Sequence, residues 1–202
     1  MKRDVTVVIP SIAPRRKFLN RAVASVTAQD EPAAALSIAI DSTRDGAWAT
    51  RNRALAPVRT TWTAFLDDDD ELLPHHLAFL LDRAEEHELD MVWGWFTVVG
   101  GTDPFPMHRG RQYDPEAPTI VPITYLARTD LLHYAVAATG GFVADEIGAW
   151  DNQDMPLFSH VARHGRHMAF RDITWLWHHH GANTSGLPTR WPEEKPKKEL
   201  FL

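Results

Sequence analysis

Apolar positions along the chain follow two alternating rhythms, one with a period of two and one with the spacing of a helix. Val5-Thr6-Val7-Val8-Ile9-Pro10 is β-branched and closed by proline, the pattern of a buried strand. Phe18, Leu19, Ala22, Val23 and Val26 follow at helical spacing. Leu36-Ser37-Ile38-Ala39-Ile40-Asp41 reads as a second strand, residues 47–55 as a helix, and Trp62 to Leu66 as a third strand. Leu77, Leu80, Leu81 and Ala84 keep the i, i+3, i+4, i+7 stripe in a helix opened by Pro74, and residues 91–99 form another strand. This alternation predicts an α/β domain: an open, mostly parallel, twisted sheet of Rossmann-like type flanked by helices on both faces.

From residue 100 to 122 glycine, proline and charge replace the pattern, as in a long loop. Loops of that length in compact domains are usually functional or mobile. Residues 124–132 read as helical, Gly140-Gly141-Phe142 as a turn, and 154–164 as a helix. A short strand over 171–177 runs into His178-His179-His180. Beyond Gly186 the Pro- and Lys-rich segment has little to bury, so the expected organisation is one domain over 1–186 and an extended tail over 187–202.

Composition narrows the class. The chain has 202 residues, enough for one α/β domain with a real core. Its net charge of −6 argues against a general nucleic-acid binder, which needs a basic face. There is no cysteine, which excludes disulfides and thiolate chemistry, and no apolar run of membrane-spanning length. The N-terminus passes directly into a strand, so a cytoplasmic protein is expected. Eight tryptophans are unusual; their rings could pack on the C–H faces of sugars, but core packing is the commoner use.

The chemistry gathers at strand ends. Ser11, Asp41 and the run Asp67, Asp68, Asp69 and Asp70 all follow strands. In an open α/β sheet the crevice beyond the carboxyl ends of the strands is where ligands bind. Clustered carboxylates repel, so they call for solvent or a cation, and their oxygens suit a hard ion such as Mg2+ or Mn2+. The alternative is a solvated acidic turn favoured by the dipole of the next helix.

These segments, in order, resemble the inverting family 2 glycosyltransferases of the GT-A fold over residues 5–185, this chain being a compact member. Val5 to Ser11 with the helix running to Ala28-Gln29 is similar to the family's opening strand and helix. Arg51-Asn52 stands where such enzymes carry an Ala-Arg-Asn segment. Ala64-Phe65-Leu66-Asp67-Asp68-Asp69-Asp70 looks like their DxD element, and Gly140-Gly141-Phe142 resembles a turn before the acceptor-side acidic motif.

The resemblance implies a metal-dependent transfer of a hexosyl or N-acetylhexosaminyl group from a nucleoside-diphosphate sugar, a UDP-sugar by expectation, to an acceptor hydroxyl. It implies that Pro10, Ser11, Asp41, Arg51, Asp67 and Asp68 bind the nucleotide sugar, with Asp41 on the nucleobase and Asp67 on the ribose or metal shell. Asp69 and His180 would bind Mn2+ or Mg2+; alternation along the strand puts His178 on the same face as His180, which makes it the second choice, and points His179 away. One of Asp68 and Asp70 is expected to face solvent or cap the following helix.

Inversion needs a general base. Counting back from Ala162-Arg163-His164-Gly165 sets the family's Glu-Asp pair on Gln153-Asp154, making Asp154 the base and Asp151 the reserve. A helix N-cap is the structural alternative for either. The implied acceptor is a glycan, a protein or a lipid-linked molecule, with no nucleic-acid partner and with a homo-oligomer possible.

Two departures qualify the likeness. The strand and helix that such enzymes often carry between Asp41 and Arg51 are cut to a few residues around Asp45-Gly46, and the acceptor half is minimal. Trp93-Gly94-Trp95 and the 100–122 loop are the candidates for acceptor and sugar contacts, with core packing favoured for the tryptophans. Competing readings are a non-catalytic sugar-nucleotide or glycan-binding module and a nucleotidyltransferase. The latter wants a glycine-rich loop after the first strand, and Pro14-Arg15-Arg16-Lys17 has no glycine.

Overall fold

The computed structural model describes residues 2–118, 121–143 and 154–180, and among these it holds seven strands and five α-helices. Strands β1 (Val5–Ile12) and β2 (Ala35–Asp41) flank helix α1 (Arg16–Thr27), and helix α2 (Ala47–Leu55) leads to β3 (Trp62–Phe65). Then come β4 (Glu71–Leu72), α3 (His76–Glu86), β5 (Met91–Val99), β6 (Leu126–Arg128), α4 (Thr129–Thr139), α5 (Met155–His164) and β7 (His167–His178). Single 3-10 turns, Ala13–Arg15 and Pro106–His108, precede α1 and sit in the long loop.

The strands form one sheet in the order β2-β1-β3-β6-β5-β7-β4. β1 is parallel to β2 and β3, and β5 is parallel to β7. β6 is antiparallel to both β3 and β5, so β1, β2, β3, β5 and β7 all point the same way, while β4 is antiparallel to β7. The carboxyl ends of five strands therefore open on one rim, as the alternation of elements predicted.

Period-two patterning divides the core. Val5, Val7 and Ile9 of β1 pack with Trp62 and Ala64 of β3 against Leu77, Leu80 and Leu81 of α3 and Val26 of α1. Val8 and Phe65 point to the opposite face, against Leu55 of α2, Leu132 of α4, and Leu157 and Phe158 of α5. Each of the buried valine, leucine, isoleucine and phenylalanine side chains among these contributes about 1.5–3 kcal/mol of hydrophobic stabilisation. Trp93 goes to the second core and Trp95 to the first, and both are buried. They pack the interior rather than present rings to a sugar. Trp95 and Phe96 reach the same core because β5 is irregular on either side of Trp95. The glycine between the tryptophans is required there, because a Cβ on Gly94 would lie 2.6 Å from Thr174 Oγ1 of β7.

Residues 124–132 are not one helix. Leu126–Arg128 is a strand clamped between β3 and β5, and the helix begins only at Thr129. A strand covered on both faces has no reason to alternate, so its short apolar run carries no period to separate it from a helix. The two-residue β4 was also invisible in the sequence, and α3 begins at His76 rather than at Pro74.

The long loop is held down by side chains. Trp95 Nε1 donates to Asp103 at 2.7 Å, and Gln112 exchanges two 2.9 Å hydrogen bonds with the backbone of Ala169. No helix among the described residues is long and apolar enough to cross a membrane. Asp151, Gln153 and the 187–202 tail lie outside the described residues.

Candidate active site

The carboxyl end of β3 releases the chain into a tight turn, closed by the Asp70 N–H donating to the Asp67 carbonyl at 3.2 Å. The turn folds the carboxylates of Asp67, Asp69 and Asp70 onto one another, with one oxygen from each lying within 4.8 Å of the others. Asp69 and Asp70 are buried and Asp67 is partly so. Like charges held this close and this dry are costly. Burial, followed by repulsion from Asp67, raises the pKa of Asp69 against the pull of Arg15 and His180. Burial and repulsion from Asp69 and Asp67 raise that of Asp70 well above the ordinary range. Hard oxygen donors in this number match the coordination of Mg2+ or Mn2+, and a dication would relieve the repulsion that the fold imposes.

Neither Asp68 nor Asp70 faces solvent, contrary to expectation; both are buried. Asp70 Oδ1 accepts the backbone N–H of His178 at 2.9 Å, tying the turn to the end of β7. Asp68 Oδ2 accepts from Ser11 Oγ at 2.6 Å and its Oδ1 accepts from Arg15 Nη1 at 3.0 Å. Burial raises its pKa, and the Ser11 hydroxyl and the Arg15 guanidinium oppose the shift. Neither residue caps a helix with its side chain: the first turn of α3 follows His75, with no side-chain cap.

Three arginines surround the turn. Arg15 Nη1 reaches both Asp68 and Asp69, the latter at 2.9 Å. Arg21 donates to the Asp69 carbonyl and pairs with Glu71 at 3.2 Å. Arg51 donates to Asp67 Oδ1 at 2.7 Å and lies 5.8 Å from the centre of the Phe142 ring. Its neighbour Asn52 clamps the Gly-Gly-Phe turn: Phe142 N–H donates to Asn52 Oδ1 at 3.0 Å, and Asn52 Nδ2 donates to the Phe142 carbonyl at 2.8 Å. Gly141, at φ +84°, is the residue this approach demands, because a Cβ there would lie 2.3 Å from Asn52 Oδ1. Two segments that the sequence could only set in order, Arg51-Asn52 and Gly140-Gly141-Phe142, are thus one contact.

The three histidines divide as strand alternation suggested. His180 Nε2 stands 3.2 Å from Asp69 Oδ2 with its ring stacked on Phe18, and His178 Nε2 is 2.6 Å from Glu71. His179 packs on Trp177 instead. His180 reaches the carboxylate group through Asp69.

Pro10 and Ser11 are buried at the end of β1, and Asp41 sits beside them on the rim, opposite Ile12 in the β1–β2 register. Asp41 has a structural task that the sequence did not reveal. Its carboxylate accepts from the backbone N–H groups of Thr43, Asp45 and Gly46 at 3.2, 3.1 and 2.9 Å, folding the shortened connection into α2. Burial would raise its pKa, but these amides outweigh it and lower it.

Asp154 occupies the N-cap position of α5, yet its side chain makes no capping hydrogen bond. Its charge is felt by the buried Tyr125 phenol, whose pKa is raised first by burial and then by Asp154, and which Arg51 partly offsets. Asp154 and Arg51 are thus both close enough to this buried ring for their charges to act on it.

A family model for glycosyl transferase family 2 matches residues 40–143, just over half of the chain. The chain belongs to this family. Its matched stretch carries Asp41, Arg51, the aspartate turn and the Gly-Gly-Phe clamp. No curated protein sequence matches the chain.

Among solved structures, S. aureus TarS 1-349 in complex with UDP-GlcNAc is 16% identical with a TM-score of 0.70, covering 88% of this chain and 59% of that one. The mannosyltransferase PcManGT from Pyrobaculum calidifontis, in complex with GDP-Man and Mn2+, is 16% identical with a TM-score of 0.62. There the match covers 85% of this chain and 56% of that one. The likeness establishes the GT-A-like fold, and the chain spans less than two thirds of the length of these structures.

Proposed function

We propose that the chain transfers a sugar from a nucleoside-diphosphate sugar to an acceptor hydroxyl in a single, inverting displacement. The observation that carries this reading is the buried turn whose Asp67, Asp69 and Asp70 carboxylates converge on the rim of the sheet. Asp67, Asp69 and Asp70 would hold Mn2+ or Mg2+, with His180 alongside Asp69. A dication bound there supplies the charge neutralisation that a departing diphosphate needs. Solved structures of similar fold that hold UDP-GlcNAc, or GDP-Man with Mn2+, support the donor class.

The remaining roles fall to the chain's own residues. Pro10 and Ser11 line the rim beneath the donor, and Ser11 braces Asp68. Arg51 orients Asp67 through their ion pair. Asp41, by folding the 42–46 connection, shapes the nucleobase side of the crevice. Asp154, at the start of α5, takes the proton of the acceptor hydroxyl as it attacks the anomeric carbon. A UDP-sugar is the proposed donor, with a glycan, protein or lipid-linked acceptor.

The test is to incubate the chain with Mn2+ and a panel of UDP- and GDP-sugars and to measure nucleoside diphosphate release. Slow release that a chelator abolishes supports the reading. Metal-dependent donor binding without release, under any acceptor, would make the chain a binding module instead.

A further inference from the structure

We infer that Arg15 is a built-in counter-ion of the carboxylate turn: it competes with a divalent cation for Asp69 and, once displaced, binds the donor's diphosphate. The inference rests on the reading of residues 67–70 as the donor site.

Arg15 ends the 3-10 turn after β1 and stands at the N-cap of α1. A single nitrogen, Nη1, bridges Asp68 Oδ1 at 3.0 Å and Asp69 Oδ2 at 2.9 Å. The side chains are 21%, 4% and 9% exposed, so the contact is screened far less than a surface pair. Asp69 Oδ2 is also 3.2 Å from His180 Nε2. An oxygen facing two nitrogens has its lone pairs engaged, so a metal ion can take it only by moving one of them.

The neighbouring cations are anchored differently. Arg51 is set on Asp67 and Arg21 on the Asp69 carbonyl and Glu71. Asp68 is held independently by Ser11 at 2.6 Å, so its position survives the departure of Arg15.

The surroundings suit an anion once the exchange has occurred. The first turn of α1 contains no acidic residue, its N-cap makes no side-chain cap hydrogen bond, and Arg16 and Lys17 follow Arg15. This end of the helix dipole is positive. A dication on the turn leaves the Arg15 guanidinium as surplus charge beside it. The planar fork of arginine matches phosphate oxygens with two parallel N–H donors, which a metal-bound diphosphate presents. Arg15 then favours the donor only after the metal has arrived, which orders the two binding events.

The experiment is calorimetric titration of the full chain, first with Mn2+ alone and then with UDP, and separately GDP, at saturating Mn2+. Arg15→Met keeps much of the side-chain stem and removes the charge. It is expected to bind Mn2+ about tenfold more tightly than wild type and the nucleoside diphosphates about tenfold more weakly, the scale of one charge-assisted hydrogen bond. Arg15→Lys keeps the charge without the fork and is expected to shift both affinities in the same directions by less; it carries the test if the Met variant does not fold. Unchanged or weaker Mn2+ binding by the variants, with wild type binding Mn2+, overturns the inference alone. A wild-type chain that binds no Mn2+ overturns the reading of the donor site and the inference with it.

Discussion

Acid should unfold this protein partly through one histidine remote from the chemistry. His76 opens α3 and is fully buried, its Nδ1 lying 3.2 Å from the carbonyl of Thr174 on β7. Its Nε2 is buried with no hydrogen-bond partner among the described residues. Burial lowers its pKa from 6.5 to about 3. The unfolded chain therefore takes up the proton first as pH falls. The stability that neutral His76 contributes is complete above pH 6.5, is lost as pH drops below it, and levels off near pH 3. At pH 5 the loss is about 2 kcal/mol, one and a half units at 1.36 kcal/mol each. For a domain of this size that lowers Tm by about 4–8 °C.

The assay is urea unfolding of wild type and His76→Gln at pH 7.5 and 5.0. The substitution has its own cost at both pH values, so the quantity read is the difference of differences. The raised pKa values of Asp68, Asp69 and Asp70 act with the opposite sign, since the folded state holds their protons more readily. They are common to both proteins and cancel. Equal pH dependence in the two, within about 0.5 kcal/mol, would show that His76 does not carry this effect.

Two further substitutions probe the site and its scaffold. Asp154→Asn should leave donor binding intact and lower transfer by about 100-fold or more, the contribution of a general base; normal transfer would remove Asp154 from that role. Gly141→Ala should cost about 2–3 kcal/mol, because it forces a side chain into a left-handed backbone and onto Asn52; a thermal melt within 2 °C of wild type would contradict the clamp.

The sequence showed the frame well and the site's wiring poorly, for a physical reason. β1, α2 and β5 announce themselves through local period and composition, and the rim follows from the parallel strands. By contrast, what decides the environment of the aspartates comes from far along the chain. Ser11 reaches Asp68 across 57 residues and His178 reaches Asp70 across 108. Nothing in the local run Asp67 to Asp70 says which carboxylate is dry. Asp41 shows the same limit, since its capture by three amides depends on the conformation of a shortened loop. The 126–128 strand was missed because burial on both faces erases the alternation on which the reading depends.

In the proposed function the buried aspartate turn holds the cation and diphosphate of a nucleotide-sugar donor. The measurement that bears on this role is nucleoside diphosphate release with Mn2+, comparing wild type with Asp69→Ala after thermal melts confirm that both fold. Release by wild type that requires Mn2+ and falls by about 100-fold or more in Asp69→Ala is the predicted result, the scale for losing electrostatic stabilisation at a departing phosphate. Equal release by the two proteins, or release indifferent to chelator, would contradict it.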